Sequence, residues 1–320
     1  MSVIFLNKEK GISSYQALRE VQKALNFKKA GHAGTLDPIA TGLLPIFFDR
    51  STKFIQYFSS EIKGYNATFN LGVSSDTQDI EGKLTVHKNE KHPSRDELNN
   101  SVKKFIGKYE QMAPSFSAKK VDGTPMYKLA RAGKPTPQRS ATVEIYNIEL
   151  TEFKYPYFSL SVMCSKGTYI RTLGVDIAKK IECNCIMKDL ERTSIGPWNL
   201  DDSVKFPIIK NLDNREKMQY VKRIEEILKD FPKVKIRSSE VKKFQNGSSI
   251  DAEINEKFKK HSVFFEEDFL GIGEFVEGDC IAPVEDLWTE EGTDMSVIAW
   301  DDYISSFAGQ AIWDGKKQCL

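Results

Sequence analysis

Asp37 has the clearest chemical opportunity in this 320-residue chain. It lies in Gly31-His32-Ala33-Gly34-Thr35-Leu36-Asp37-Pro38, followed by Gly42 and Pro45, a composition of loop rather than helix. A carboxylate on a loop stiffened by Gly and Pro can be aimed at a ligand. There it can act as nucleophile, general base or metal ligand. Taken alone, an Asp-Pro pair more often only shapes an Asx turn. Metal binding needs further ligands, and the loop offers only His32. A paired-carboxylate hydrolase needs a second acid, and no motif marks one.

A second segment, Cys164-Ser165-Lys166-Gly167-Thr168-Tyr169-Ile170-Arg171, reads as a strand end, a Gly turn and a helix start. Arg171 could pair bidentately with a carboxylate and hold it ionised, and Tyr169 could offer its ring face to a base. With no partner in view for Arg171, an ordinary helix start with a surface Arg competes. In a third segment, 115–120 and 127–134, basic residues interleave with aromatics and glycines. That suits phosphate contacts and stacking on RNA, and equally a solvated cationic loop.

Elements must position these groups. The spacing predicts a helix over 13–25, capped by Ser13 or Ser14, with Leu18, Val21 and Leu25 on one face. Tyr65, Ala67, Phe69 and Leu71 alternate with polar residues, as in a half-buried strand. Ser94 to Glu97 form a capping box that opens a helix with Leu98, Val102, Phe105 and Ile106 inward. Strands over 142–153 and 158–164 flank a turn at Tyr155-Pro156-Tyr157, and a helix follows over 168–181. Mixed strands and helices without a βαβα rhythm predict an α+β fold, its mixed, largely antiparallel sheet flanked by helices. A helix over 218–228 precedes a boundary at Phe231-Pro232. Beyond it a strand over 234–237, a short helix closed by Asn246-Gly247 and β segments near 262–265 and 269–276 predict a small β-rich C-terminal domain. The division expected is 1–230, 231–287 and an acidic tail, 288–320, that holds three of the four tryptophans.

Composition sets outer bounds. Apolar residues make 40% and charged residues 28%, against disorder of the whole chain. There is no run of 18 apolar residues for a membrane span and no signal pattern at the N-terminus, so a cytoplasmic location is expected. Five cysteines form no disulfide framework, and the single C-x-C at Cys183 and Cys185 lacks the second pair that structural zinc needs. The formal net charge of +1 conceals an asymmetry: residues 1–250 carry 41 Lys and Arg against 28 Asp and Glu, and residues 251–320 carry 5 against 17. A body at +13 beside an end at −12 suits an anionic partner for the body.

Five segments then point the same way. Residues 31–45 (GHAGTLDPIATGLLP), 63–82 (KGYNATFNLGVSSDTQDIEG), 114–133 (PSFSAKKVDGTPMYKLARAG), 164–178 (CSKGTYIRTLGVDIA) and 190–197 (LERTSIGP) resemble, in order, the motifs of the bacterial TruB family. That family makes pseudouridine at position 55 in the T-loop of tRNA. The resemblance implies the pseudouridine synthase fold, a single loop aspartate and neither cofactor nor metal. It matches Asp37 to the catalytic aspartate, attacking the target uridine at C6 or promoting loss of the base at C1′. It matches Arg171 to the arginine that salt-bridges that aspartate. It matches Tyr65 to the tyrosine stacked on the flipped base, Tyr169 to a second active-site tyrosine and Leu190 to a residue of the uracil pocket. His32 matches the histidine that fills the space left by the flipped nucleotide. Lys119, Lys120 and Arg131 fall in the family's RNA-gripping insertion, about 113–138. Partners implied are the T-arm of tRNA, with no membrane, no guide RNA and a monomeric enzyme.

Departures are few. Ala33 stands where many members carry another small residue, and Lys119 replaces a common apolar one. Residues 234–287 only weakly resemble a PUA-type RNA-binding module. Two competing functions remain: an RNA-binding or tRNA-folding module with catalysis secondary or lost, and a guide-dependent synthase. The intact Asp37, Tyr65, Tyr169 and Arg171 argue against the first, and the basic segment over 114–134 against the second.

Overall fold

A computed structural model describes residues 2–58, 62–117, 120–121, 124–137, 139–229, 231–252, 257–276 and 280–284. The tail expected over 288–320 and Lys119 lie outside the described residues, as do the side chains of Lys120, Tyr127 and Arg131.

The body is built on an 11-stranded mixed sheet. Strand Ser2–Lys8 is apolar on both faces, and Val3, Ile4, Phe5 and Leu6 are all buried, as suits an interior strand. It pairs antiparallel with Thr41–Phe48, and on its other edge with Val204–Lys205 and Val221–Arg223. The opposite half runs Cys185–Ile195, Ile62–Leu71, Tyr157–Ser165, Ser140–Lys154 and Gly107–Met112, all antiparallel. The halves join through one short parallel pairing, Glu191 with Thr41 and Arg192 with Gly42. Gly42, at φ +102°, makes this seam possible, because a Cβ there would fall 2.3 Å from the Arg192 carbonyl oxygen.

Helices cover the face that carries Tyr65, Ala67 and Phe69. Helix Ser14–Ala24 is capped by Ser13, whose Oγ accepts from the Gln16 amide. Helix Arg95–Lys103 opens with the expected capping box. Its Ser101 hydroxyl donates to the Ile177 carbonyl and joins it to helix Ile170–Lys179. That second helix lies close on the sheet. Phe69 stacks on Phe158 with centroids 4.9 Å apart, and a Cβ at Gly174 would sit 2.0 Å from the Phe69 ring.

Three expectations need correction. Ile106, expected to face inward, is exposed beyond the end of helix Arg95–Lys103. The continuous helix over 218–228 is instead helix Asn214–Met218, strand Val221–Arg223 and helix Ile224–Ile227. Pairing of Val221–Arg223 with the free edge at Ser2, Val3 and Ile4 outweighs local helix propensity. The loop over 31–45 is flanked by strands at both ends, since Ala30–His32 and Thr41–Phe48 pair with each other. The apolar run Leu43 to Phe48 is drawn into the sheet, Pro45 included.

A second, five-stranded sheet spans Lys233–Lys235 to Cys280–Pro283, so the β-rich C-terminal region is present. It meets the turn Asp49–Tyr57 through Phe54 and Phe269, whose centroids are 5.6 Å apart, and through Lys260 over the Tyr57 ring. Among the described residues no helix is long and apolar enough to cross a membrane.

G174A should destabilise the body by about 1–3 kcal/mol through overpacking against Phe69. Urea unfolding of the variant against the parent checks this, and an unchanged midpoint would contradict the close approach.

Candidate active site

The Asp37 loop is held from below. The Ser14 hydroxyl accepts from the Leu36 amide at 2.8 Å and donates to the Leu36 carbonyl at 2.9 Å. The Gly11 amide donates to the Pro38 carbonyl at 2.8 Å, and the Ala40 amide to the Asp37 carbonyl at 3.0 Å. Lys8 is almost fully enclosed. Its ammonium donates to the Ile12 carbonyl at 2.7 Å, the Glu9 carbonyl at 2.8 Å and, more weakly, the Pro38 carbonyl at 3.4 Å. Burial pushes Lys8 down to about 8, against the pull of the Asp37 carboxylate. A side chain on so anchored a loop has little freedom left to lose when a ligand arrives.

Arg171, in the first turn of helix Ile170–Lys179, is 4% exposed. Its Nε lies 3.0 Å from Asp37 Oδ2, and its Nη2 lies 3.4 Å from Asp37 Oδ1. Nη1 donates to the Thr77 carbonyl at 2.8 Å and lies 3.7 Å from Asp79 Oδ2. Nη2 also donates to the Phe116 carbonyl at 2.9 Å. Asp79 is itself held, because it accepts from the Thr77 hydroxyl at 2.6 Å and the Glu81 amide at 3.0 Å. One guanidinium thus joins the Asp37 loop, residues 77–79, residue 116 and the helix start.

Tyr169 is placed by Gln111. The Gln111 side-chain oxygen accepts from the Tyr169 amide at 2.7 Å, and its amide nitrogen donates to the Tyr169 carbonyl at 3.1 Å. The Tyr169 hydroxyl shares a hydrogen bond with Ser117. Tyr65 is buried on strand Ile62–Leu71, directly opposite Val162 on one side and Arg192 on the other. Its hydroxyl accepts from the Arg192 guanidinium. Leu190 is buried one pair away, opposite Ala67. His32 ends strand Ala30–His32, and its Nδ1 is buried without a hydrogen-bond partner among the described residues. Burial and the nearby Arg192 charge hold His32 below the ordinary imidazole range. Asp37, Tyr65, Tyr169, Arg171, Leu190 and His32 therefore border one region. Lys120 sits in the short strand Lys120–Val121, where its side chain is not described.

Four site residues were not singled out from sequence: Lys8, Asp79, Gln111 and Arg192. Asp79 and Arg192 lie inside two of the matched segments, two residues beyond Thr77 and Leu190 respectively. Lys8 and Gln111 stand in otherwise unremarkable strands, and only their burial reveals them.

The charge state of Asp37 differs from a simple ion-pair expectation. Burial pushes its carboxyl above the ordinary aspartate range, Asp79 adds to the rise, and Arg171 and Lys8 pull it back. Arg171 therefore chiefly offsets desolvation and fixes orientation.

Comparison with known proteins gives the class, a pseudouridine synthase. Two solved structures show the fold: a Cbf5–Nop10–Gar1 complex (TM-score 0.65, 21% identity, 90% of this chain and 87% of that one) and an H/ACA ribonucleoprotein bound to a substrate RNA containing 2′-deoxyuridine (TM-score 0.64, 20% identity, 90% and 87%). Residues 22–170 match the TruB family pseudouridylate synthase N-terminal domain. The tRNA pseudouridine synthase B of Francisella tularensis subsp. novicida (strain U112) is 36% identical over 287 residues, 87% of this chain and 92% of that protein. Its counterpart in F. tularensis subsp. tularensis (strain FSC 198) is 41% identical over 231 residues, 72% and 76%. The chain belongs to the TruB family and is a tRNA pseudouridine synthase.

Because Asp79 raises the Asp37 carboxyl and Arg171 lowers it, D79N should move the Asp37 titration to lower pH and Arg171→Gln to higher pH. Carboxyl-carbon NMR, with D37N to assign the signal, checks both directions, and the wild-type midpoint should lie above about 3.9.

Proposed function

We propose that the chain converts the uridine at position 55 in the T-loop of tRNA to pseudouridine, with Asp37 as the nucleophile and no guide RNA. The observation that carries this is the enclosed Arg171 guanidinium, 3.0 Å from a half-buried carboxylate on a pinned loop. The reaction is an isomerisation: the C1′–N1 bond breaks, the base turns, C5 bonds to C1′, the C5 proton leaves and N1 gains a proton. Asp37 serves either route, addition to C6 or release of the base at C1′. In both, its negative charge must be present and its direction set beforehand, which the fork of Arg171 supplies.

A uridine within the folded T-loop cannot be reached while stacked, and its extraction costs a few kcal/mol. Stacking on Tyr65 and occupation of the vacated space by His32 offset that cost. Leu190 lines the base pocket, and Tyr169 closes it from the helix start. Lys119, Lys120 and Arg131 of the insertion over about 113–138 grip phosphates. The chain acts as a monomer on the T-arm.

The division at about residue 230 belongs to the same reading. Residues 231–287 act as a PUA-like module whose acidity restricts it to few RNA contacts, and residues 288–320 are acidic in sequence. Independence from guide RNA rests on identity with tRNA pseudouridine synthase B of 36–41%, against about 20% with the Cbf5 structures. It also rests on the basic segment over 114–134.

D37N should abolish pseudouridine formation in tRNA while leaving tRNA binding within a few-fold, since the amide keeps the shape and loses the nucleophile. Chemical detection of pseudouridine after tRNA incubation, beside filter binding, decides it, and retained turnover would refute the assignment. Y65L should stop turnover under single-turnover conditions by removing the stacking platform. Binding should weaken steeply with salt because phosphates carry much of the affinity, and a flat dependence would count against the basic body as the RNA surface.

A further inference from the structure

We infer that Lys63, supported by Arg192 and the bare main chain of Gly34, forms an anion subsite that holds an RNA backbone phosphate flanking the target uridine. Lys63 is then a substrate-positioning residue. The inference rests on the function proposed above and adds to it the group that fixes the flipped nucleotide by its phosphate.

The geometry begins on strand Ile62–Leu71. Lys63 and Tyr65 are two residues apart and so lie on one face of the sheet, about 7 Å from each other along the strand. Lys63 is half-buried and reaches toward the loop that carries His32 and Asp37. A Cβ built on Gly34 would lie 3.4 Å from Lys63 Nζ and 3.3 Å from Arg192 Nη1. Two cationic side chains therefore converge on one glycine, at φ +96°, whose lack of a side chain leaves the spot open.

Among the described residues their surroundings offer main-chain carbonyls rather than carboxylates. Arg192 is 1% exposed, and its Nε and Nη2 donate to the carbonyls of Leu43 at 2.8 Å and Gly34 at 3.0 Å. Among the described residues no carboxylate forms an ion pair with Lys63 or Arg192. Facing Lys63 are the Arg192 guanidinium, the Lys166 ammonium on the turn before helix Ile170–Lys179 and the Cys164 thiol. Burial pushes that thiol up to about 11, so it stays uncharged at neutral pH. Burial and the two neighbouring cations push Lys63 down to about 8.

Desolvated like charges beside one another are costly and are relieved by an anion placed between them. Uracil is neutral, so within an RNA substrate the anion is a phosphate. Arg192 is enclosed and tied to main-chain carbonyls, so it contributes field. Lys63, on a flexible stem with rotatable donors, makes the contact. A phosphate held here would sit on the same sheet face as the ring of Tyr65, as the phosphate of a nucleotide whose base stacks on that ring should.

The test uses the full-length protein and T-arm RNAs carrying a single neutral methylphosphonate at each phosphate around the target uridine. With wild type, one position should lower kcat/KM about tenfold, the size expected for a charge-assisted contact. With K63Q, activity on unmodified RNA should fall by a similar factor, mostly through KM, and the methylphosphonate at that position should cost nothing further. K63R keeps the charge and should restore the sensitivity. Because kcat/KM reports the free enzyme, wild type should also lose activity as pH rises through about 8, and K63R should lose less, with Lys8 accounting for the remainder. Equal methylphosphonate penalties in wild type and K63Q at every position would overturn the subsite. So would a K63R enzyme that no longer senses the methylphosphonate, a comparison that stands even if K63Q folds poorly. Failure of wild type to modify the unmodified T-arm would instead overturn the proposed function.

Discussion

A guanidinium taken out of water must have its charge and its N–H groups met, or the protein carries several kcal/mol of uncompensated desolvation. Arg171 meets that demand with Asp37, Asp79 and the carbonyls of Thr77 and Phe116. These partners come from a loop near the N-terminus, the turn beyond the Tyr65 strand and the start of the basic insertion. Satisfying one side chain therefore assembles the site. Asp79 is enclosed, whereas the Asp37 side chain keeps 35% of its surface open. The carboxylate most available to a substrate is thus the one whose direction is fixed by an already occupied arginine.

The sheet explains why these segments meet. Its halves are stitched by two residue pairs at 41–42 and 191–192, immediately after the Asp37 loop and beside Leu190. A seam that short leaves the strand ends on either side free to carry loops and charged side chains. Buried Lys8 and Arg192 close it on the protein side through main-chain carbonyls rather than acids. Lys8, Arg171 and Arg192 are all buried around Asp37 and Tyr65, in keeping with the basic character of residues 1–250.

Much of this was legible in the sequence where local signals and tertiary demand agree. The capping box at Ser94, the alternation from Tyr65 to Leu71 and the Gly turn before Arg171 all fold as their residue types suggest. The segment around Val221 does not, because the open edge of Ser2–Lys8 supplies strand hydrogen bonds that no local pattern records. The site shows the same division. Asp37, Tyr65, Tyr169 and Arg171 were reached through matched motifs, and the chain brings them to one region. Gln111, Lys8 and Arg192 act through main-chain contacts with residues distant in sequence, and residue type alone does not report such contacts. The direction in which the Asp37 carboxyl shifts was also hidden, since it depends on how far the loop sinks beside Asp79.

The central claim is that a pinned carboxylate waits beneath a uridine that has left its stack. The most direct measurement is a structure of the full-length protein bound to a T-arm RNA whose target uridine cannot react. The expected result has the target base out of the loop against Tyr65, with a carboxylate oxygen of Asp37 about 3–3.5 Å from C1′ or C6 and Arg171 still paired to it. A target uridine still stacked in the loop, or a bound state in which Asp37 has left Arg171 and points away from the nucleotide, would contradict the account.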